Sequence, residues 1–157
     1  AVYQDFENDI FHGLEQAMDD LKNVRMLRVI TLPQSLYGQT IQKGVKNFTD
    51  KYNIQVEFRA TIPDDISKND CFLLLNSQLD AGLVELTQKT TATGMKIGSD
   101  VTIISYNDVD LNELVLGGLT TVSTDFREMG RMAAEMIKSQ KMEKVHCPFY
   151  MNRRKTF

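Results

Sequence analysis

Short apolar runs alternate with amphipathic stretches along most of the chain. The apolar runs are of a length and β-branched content typical of buried strands, and they cover residues 26–31, 54–59, 71–75, 101–105 and 119–122. Apolar positions at helical spacing occur between them, in residues 6–21, 39–51, 79–90 and 126–137. Such alternation of strands and helices predicts βαβ units with right-handed crossovers. We therefore expect an α/β fold with an open, mostly parallel sheet and helices on both faces.

Local signals place several element boundaries. Asp125 has the chemistry of a helix N-cap, and Glu128 three residues later completes a capping-box pattern. Asp5 is a similar candidate for the first helix, and Gly94 is suited to end the helix before it in a left-handed conformation. The remaining apolar positions predict a short strand at residues 1–4 and one or two edge strands within residues 146–154.

Polar side chains follow two of the predicted strands directly. Asn76 comes after the most continuously apolar run, while Asn107 and Asp108 follow the run at residues 101–105. In an open α/β sheet, ligands bind at the carboxyl ends of the strands. These side chains are therefore expected to line a crevice.

Size and charge narrow the possibilities further. The chain has 157 residues, 42% of them hydrophobic and 25% charged, which suits one globular domain with a substantial core. A net charge of −3 argues against nucleic-acid binding by this segment itself, and the basic triplet at residues 153–155 is expected to be a solvated strand end. No apolar run is long enough to cross a bilayer. Because the chain begins abruptly on a predicted strand, we expect it to be a piece of a longer protein.

Signals for catalysis, metal binding or cofactor binding are absent from the sequence. Cys71 and Cys147 are far apart and are expected to be free buried thiols. His12 and His146 have no recognisable partner, and there is no nucleophile elbow, phosphate-binding glycine loop or metal-ligand spacing. We therefore predict a protein that is not an enzyme and that needs no cofactor.

The segment from residue 99 to residue 130 resembles a known family. A strand ends in Tyr106-Asn107-Asp108, and the sequence LTTVSTDFREMG follows at residues 119–130. This pattern is similar to the effector-binding domain of the lactose-repressor/galactose-repressor family, which has the type I periplasmic-binding-protein fold. The resemblance extends over essentially the whole chain and is strongest between residues 94 and 130.

The resemblance implies a domain organisation. Members of the family have two α/β lobes joined by three crossovers, with a small effector held in the cleft between the lobes. Residues 1–157 correspond to the C-terminal lobe together with the last crossover and its helix, at about residues 123–138. The N-terminal lobe and the DNA-binding headpiece lie outside this chain.

The same resemblance implies ligand-binding residues. Asn107 falls where the family usually has an aspartate that holds the ligand, and an amide there favours a neutral sugar or polyol. Gln39 falls at or near the position of an effector-binding arginine, which disfavours an anionic effector. Asn76 corresponds to an amide that faces the cleft, and Thr124 and Phe126 correspond to crossover positions that touch the effector. The other expected contacts are Asp5, which lies near a crossover position, Asp108, which follows Asn107, and the aromatic ring of Tyr37.

The implied function is effector sensing in a bacterial transcriptional regulator. Effector binding would close the lobes of a homodimer and change the spacing of its DNA-binding heads, in the cytoplasm. The absent head is either the family's own helix-turn-helix or a winged helix of the gluconate-regulator type. The alternative is a periplasmic solute-binding protein of a sugar transporter, which has the same fold and would carry a signal peptide.

Overall fold

A computed structural model describes residues 1–75 and 81–157 of the chain. Its main feature is a six-stranded sheet in the order β3-β2-β4-β5-β6-β8. Those strands, in chain order, are β2 (Met26–Ile30), β3 (Val56–Arg59), β4 (Asp70–Leu74), β5 (Thr102–Tyr106), β6 (Thr120–Thr124) and β8 (Phe149–Asn152). Two shorter strands, β1 (Val2–Tyr3) and β7 (Val145–His146), form a separate parallel pair.

The sheet is parallel except at one edge. Neighbouring strands from β3 to β6 all pair in parallel, and β8 closes the edge by pairing antiparallel with β6. The carboxyl ends of β2, β4, β5 and β6 therefore meet at one edge of the sheet. The predicted α/β architecture is confirmed, and the predicted edge strand is β8.

Five α-helices accompany the strands in the described part of the chain. They are α1 (Phe6–Glu15), α2 (Met18–Leu21), α3 (Leu36–Tyr52), α4 (Ala81–Ala92) and α5 (Phe126–Ser139). The predicted start of α3 at residue 39 is wrong by three residues, because the Ser35 side chain accepts a hydrogen bond from the amide of Gly38 and begins the helix earlier. Asp125 caps α5 as predicted, through the amide of Glu128 at 2.9 Å.

Two apolar layers cover the sheet. On one face, α1 and α3 pack on the sheet through Leu14 and Phe48, while α4 packs on the other face through Leu83 and Leu86. Leu73 and Phe72, which are neighbours on the central strand β4, are fully buried in opposite layers. A central parallel strand buried on both faces explains the continuous apolar run of residues 71–75.

Helices α1 and α3 run parallel and approach each other closely. A Cβ atom on Gly44 would lie 2.2 Å from the carbonyl oxygen of Glu7, so only glycine permits this contact. The Phe6 and Tyr37 rings also meet, with centroids 4.9 Å apart, near the first turns of the two helices. Since α3 begins after the carboxyl end of β2, α1 begins at that same edge of the sheet.

A buried ionic cluster lies within the sheet. The Arg28 side chain is 3% exposed, and it contacts the fully buried Asp70 carboxylate at 3.2 Å. Two parallel hydrogen bonds, at 3.0 and 3.2 Å, join the same guanidinium to Asp65. Asp65 therefore helps to neutralise a buried cation.

Candidate functional site

The carboxyl ends of β5 and β6 bring Asn107 and Thr124 to one edge of the sheet. Tyr106 pairs with Val122 in the parallel ladder, and the amide of Asn107 donates to the Val122 carbonyl at 2.9 Å. Asn107 therefore lies beside the last residues of β6. The strand-end prediction concerned Asn107 and Asn76, whereas Thr124 was implied only by the family resemblance.

Asn107 adopts a backbone conformation that suits few residues. Its φ is +68°, in the left-handed region, which asparagine tolerates better than most side chains. Its side-chain oxygen Oδ1 is buried and has no hydrogen-bond partner among the residues that the structure describes. A buried acceptor without a donor is costly, so this oxygen marks a position where a further donor would stabilise the structure.

Thr124 is held in place from a second segment. Gln4 Nε2 donates to Thr124 Oγ1 at 2.5 Å, and this bond joins the connection between β1 and α1 to the end of β6. Asp5, one residue later, caps α1 by accepting from the amide and the side chain of Asn8. Hydrogen bonding from Asn8 holds the pKa of Asp5 below its usual value despite partial burial. The cap gives Asp5 a structural role at the edge of the predicted site.

A polar cleft of about 440 Å³ opens beside these residues. Its lining includes Thr124, Asp125 and the half-exposed ring of Phe126 from the crossover into α5. Asp108 and side chains of the terminal segment, including Arg154, also line the cleft. Three of the predicted ligand contacts, Asp108, Thr124 and Phe126, are therefore brought to one concave surface.

Asp108 is already engaged by protein groups. Arg154 donates to both carboxylate oxygens of Asp108, at 2.9 and 2.8 Å. The backbone amide of Asp108 donates to Ser123 Oγ at 3.0 Å. Burial opposes ionisation, but the hydrogen bonds from Arg154 and Asn112 outweigh it and lower the pKa of Asp108. These contacts favour a structural role for Asp108, which fixes the turn after β5.

Three further predicted residues lie elsewhere or outside the description. Gln39 lines a separate surface groove with Lys43 and Phe58, so the structure does not bring it to the cleft. Tyr37 is 64% exposed and packs on Phe6 at the start of α3. Asn76 lies outside the described residues.

Some contacts escaped the sequence analysis. The triplet at residues 153–155 was expected to be solvated, but Arg154 is partly buried against Asp108 and only its two neighbours are exposed. His146, for which no partner was recognised, contacts Asp9 at 2.5 Å. Both partners are distant in sequence, and no local pattern could have paired them.

The side chains gathered at the site are hydrogen-bonding groups and an aromatic ring, which suit binding rather than catalysis. Within residues 1–75 and 81–157, no group of three His, Cys, Asp or Glu residues is arranged to hold a metal ion. No helix in that part of the chain has the length and apolarity needed to cross a membrane. The Thr124 hydroxyl and the Phe126 ring share one concave surface, a combination typical of sites for small polar molecules, whereas Asn107 lies beside that surface and does not line it.

Comparison with known proteins agrees with this geometry. A family model described as a periplasmic binding protein-like domain matches residues 72–148. The HTH-type transcriptional regulator GalR of Streptococcus thermophilus is 29% identical over 160 residues, an alignment that covers 89% of this chain and 47% of that protein. The chain thus spans about half the length of this curated relative.

Solved structures extend the similarity to almost the entire chain. A dimeric Lac repressor with an 11-residue C-terminal deletion gives a TM-score of 0.72 at 17% identity, covering 99% of this chain and 62% of the other. A periplasmic binding protein/LacI transcriptional regulator from Alkaliphilus metalliredigens QYMF, complexed with D-xylulofuranose, gives 0.69 at 16% identity, covering 99% and 64%.

The fold and the edge-of-sheet cleft define a periplasmic-binding-protein-like domain. The predicted resemblance to the effector-binding domain of the lactose-repressor/galactose-repressor family is confirmed by the family model, the regulator relative and the repressor structure. The curated relative is a transcriptional regulator and not an enzyme, which supports the prediction of a non-enzymatic protein.

Proposed function

We propose that this chain is the effector-sensing part of a bacterial transcriptional regulator. A small molecule bound at the Asn107–Thr124 edge would favour one arrangement of two lobes over another and so change DNA binding. DNA would be contacted only through a head module outside this chain, which implies action in the cytoplasm. The observation that carries the proposal is the unpartnered Asn107 oxygen at the edge of the sheet where ligands bind in such folds.

The domain organisation is proposed on the basis of α5. This helix, all of whose residues are described, has no buried side chain, although its apolar positions follow a helical stripe. The strand pair β1–β7 and the β6–α5 connection lead from the six-stranded sheet toward it. These features support assigning residues 1–157 to a C-terminal lobe that includes a crossover and the first helix beyond it, at about residues 123–138.

A neutral sugar or polyol is the proposed effector. Asn107 Oδ1 would accept from one hydroxyl, Thr124 Oγ1 would bond a second, and the Phe126 ring would cover an apolar face of the sugar. The cations near the cleft are already paired, Arg154 with Asp108 and Arg127 with Asp110. Asn76, Tyr37 and Gln39 stay predicted ligand contacts. Asp5 and Asp108 are proposed to hold the backbone beside the cleft in place.

The alternative function, transport of a sugar by a periplasmic solute-binding protein, has the same fold. The regulator relative, aligned over 89% of this chain, favours the regulatory function. A gluconate-regulator-type head remains one of the two proposed DNA-binding modules.

A homodimer is proposed from an apolar surface between α4 and the 3₁₀ turns at Asp110–Glu113 and Val115–Gly117. A groove of about 370 Å³ lies there, lined by Leu83, Val84, Thr87, Gln88, Val115 and Leu116. The neighbouring Leu114 is 76% exposed, which is unfavourable unless another surface covers it. A second copy is the proposed occupant, because the repressor neighbour is described as dimeric. Leu114→Glu should dissociate the dimer in sedimentation velocity, whereas Leu36→Glu, at an 80% exposed leucine outside this surface, should not.

The effector site is tested by ligand binding to the full-length protein. In a thermal-shift screen, at least one neutral sugar or polyol should raise the melting temperature, and sugar phosphates should not. The double variant Asn107→Ala/Phe126→Ala should weaken that ligand about 100-fold in calorimetric titration, because it removes a hydrogen bond and an aromatic contact. Asn23→Ala, at the opposite edge of the sheet, is the matched control. Unchanged affinity in the double variant would remove the site assignment.

A further inference from the structure

A histidine on the strand pair β1–β7 contacts a buried carboxylate of helix α1. His146 Nε2 lies 2.5 Å from Asp9 Oδ1, and the Asp9 side chain is 3% exposed whereas that of His146 is 45% exposed. The two residues are 137 positions apart in sequence. A solvent-accessible imidazole is thus the link between β7 and the body of the domain at this point.

Asp9 depends on this contact for charge compensation. Its second oxygen accepts from the amide of Asp5 at 2.9 Å. The titratable groups that face it are Asp5, His146, Tyr106 and Cys147. Burial raises the pKa of Asp9, although the hydrogen bond from His146 opposes that effect. Of these four groups, only His146 can carry a positive charge.

β7 is otherwise held by a few backbone bonds. The amides of Val145 and Cys147 donate to the carbonyls of Ala1 and Tyr3, both at 2.9 Å. The Tyr3 ring lies beside the imidazole, with centroids 5.5 Å apart. The β1–β7 pair is only two residues long on each strand, so a side-chain contact adds to the backbone bonds and to the buried Cys147 in keeping β7 in place.

We propose that His146 and Asp9 form a pH-sensitive latch that fastens the β1–β7 strand pair to helix α1. Protonated His146 forms a charge-assisted bond to the Asp9 carboxylate, and neutral His146 forms a weaker one. Histidine is the side chain whose charge ordinarily changes between pH 5 and 8. The latch is therefore tighter when His146 is protonated, and it loosens when His146 loses its proton.

The direction of the effect follows from both partners. Below the range in which Asp9 ionises, the carboxyl group is neutral and the charge pairing is lost. Above the range in which His146 loses its proton, the buried Asp9 charge stands without a cation. The charged pair exists only between these limits, so fastening has a maximum rather than a steady trend with pH.

A role of the latch in regulating the effector site rests on the proposed function, in which β1 and β7 are two of the connections between the lobes. The latch itself depends only on the contact described above. A change of pH would then alter how freely the lobes rearrange.

Hydrogen–deuterium exchange of the intact protein without ligand tests the latch. Protection of the Val145 and Cys147 amides, corrected for intrinsic exchange, should be about fivefold greater at pH 6 than at pH 8. His146→Gln should abolish this difference, since glutamine keeps a donor but carries no charge. Asp9→Asn should also abolish the difference. This second variant keeps the test possible if His146→Gln folds poorly.

His12→Gln is the matched control. His12 is an exposed histidine on the same helix, paired with Glu15, and its loss should leave the pH dependence unchanged. Equal protection at pH 6 and pH 8 in the wild type, or the same difference in His146→Gln, would overturn the latch. Failure of the sugar screen with an intact exchange effect would instead refute the effector site and leave the latch standing.

Discussion

Arg154 grips the Asp108 carboxylate with two parallel hydrogen bonds of 2.9 and 2.8 Å, and so joins the end of the chain to the turn after β5. The same guanidinium donates to the Leu119 carbonyl at 2.8 Å, just before β6 begins. A single side chain therefore fixes the β5 turn and the approach to β6. The wall of the proposed effector cleft depends on this clamp.

Removing the clamp should destabilise the fold. Arg154→Ala leaves the partly buried Asp108 charge unpaired and is expected to lower the free energy of unfolding by about 2 kcal/mol in urea denaturation. Arg131→Ala removes an exposed arginine that pairs with Glu128 and Glu135, and it should cause no measurable change. Equal effects of the two variants would contradict the importance of the clamp.

Asp108→Asn should show the pH dependence of that clamp. Because the pKa of Asp108 is lowered in the fold, its ionisation contributes stability above the unfolded value of about 4, and this contribution is lost as the pH falls through the folded value. The stability difference between wild type and variant should therefore be full at pH 7 and shrink below about pH 4. The measurement is the urea midpoint of both proteins at several pH values. A stability difference that stays the same in acid would contradict the prediction.

Arg28 should be more sensitive than an exposed arginine on the neighbouring strand. Arg28→Met removes one of the two cations that contact the fully buried Asp70, the other being Arg25, and is expected to cost about 2 kcal/mol of unfolding free energy. Arg59→Met, at an arginine on β3 that is 41% exposed, should cost less than about 1 kcal/mol. Chemical denaturation of both variants measures the contrast.

Two glycines should respond in opposite directions to alanine. Gly44→Ala forces a methyl group against the Glu7 carbonyl and should destabilise the protein by about 2 kcal/mol. Gly130 lies within α5 with no atom within 4 Å of an added Cβ, so Gly130→Ala should stabilise by about 0.5–1 kcal/mol. Thermal unfolding of both variants provides the measurement, and stabilisation by Gly44→Ala would refute the close α1–α3 contact.

The two thiols should be inert in the native protein. Cys71 and Cys147 are free and fully buried, as the sequence predicted. Burial raises the pKa of Cys71 to about 12 and also raises that of Cys147. A thiol-specific chromogenic reagent at pH 8 should therefore detect no reaction until denaturant is added, and then two thiols. Rapid reaction of folded protein would contradict this burial.

The layout of the fold was accessible from sequence because it depends on local periodicity. The run at residues 71–75 predicts a strand buried on both faces, and Asp125 predicts the start of α5, and both agree with the structure. The 3₁₀ turns between Asp110 and Gly117 were not predicted, since they follow no regular apolar repeat. Leu116, inside the second turn, has a φ of +54°, which sequence pattern does not indicate for a leucine.

The site was less accessible than the fold. Asn107 could be placed at the carboxyl edge of the sheet because parallel strands end together, whereas Thr124 was implied only by the family resemblance. The partners Arg154, Gln4 and His146 come from remote segments and are chosen by tertiary packing, which leaves no short-range signal. Asp108 is an example, since its chemistry suits a ligand contact equally well until Arg154 is seen beside it.

The left-handed backbone at residue 107 restricts which substitutions that position tolerates. Asparagine, aspartate and glycine fit it with little strain, whereas β-branched residues do not. Asn and Asp have the same shape but differ by one unit of charge. A single Asn107→Asp substitution would thus add one negative charge beside the cleft without rebuilding the turn, which makes the charge at this point of the fold easy to exchange in evolution.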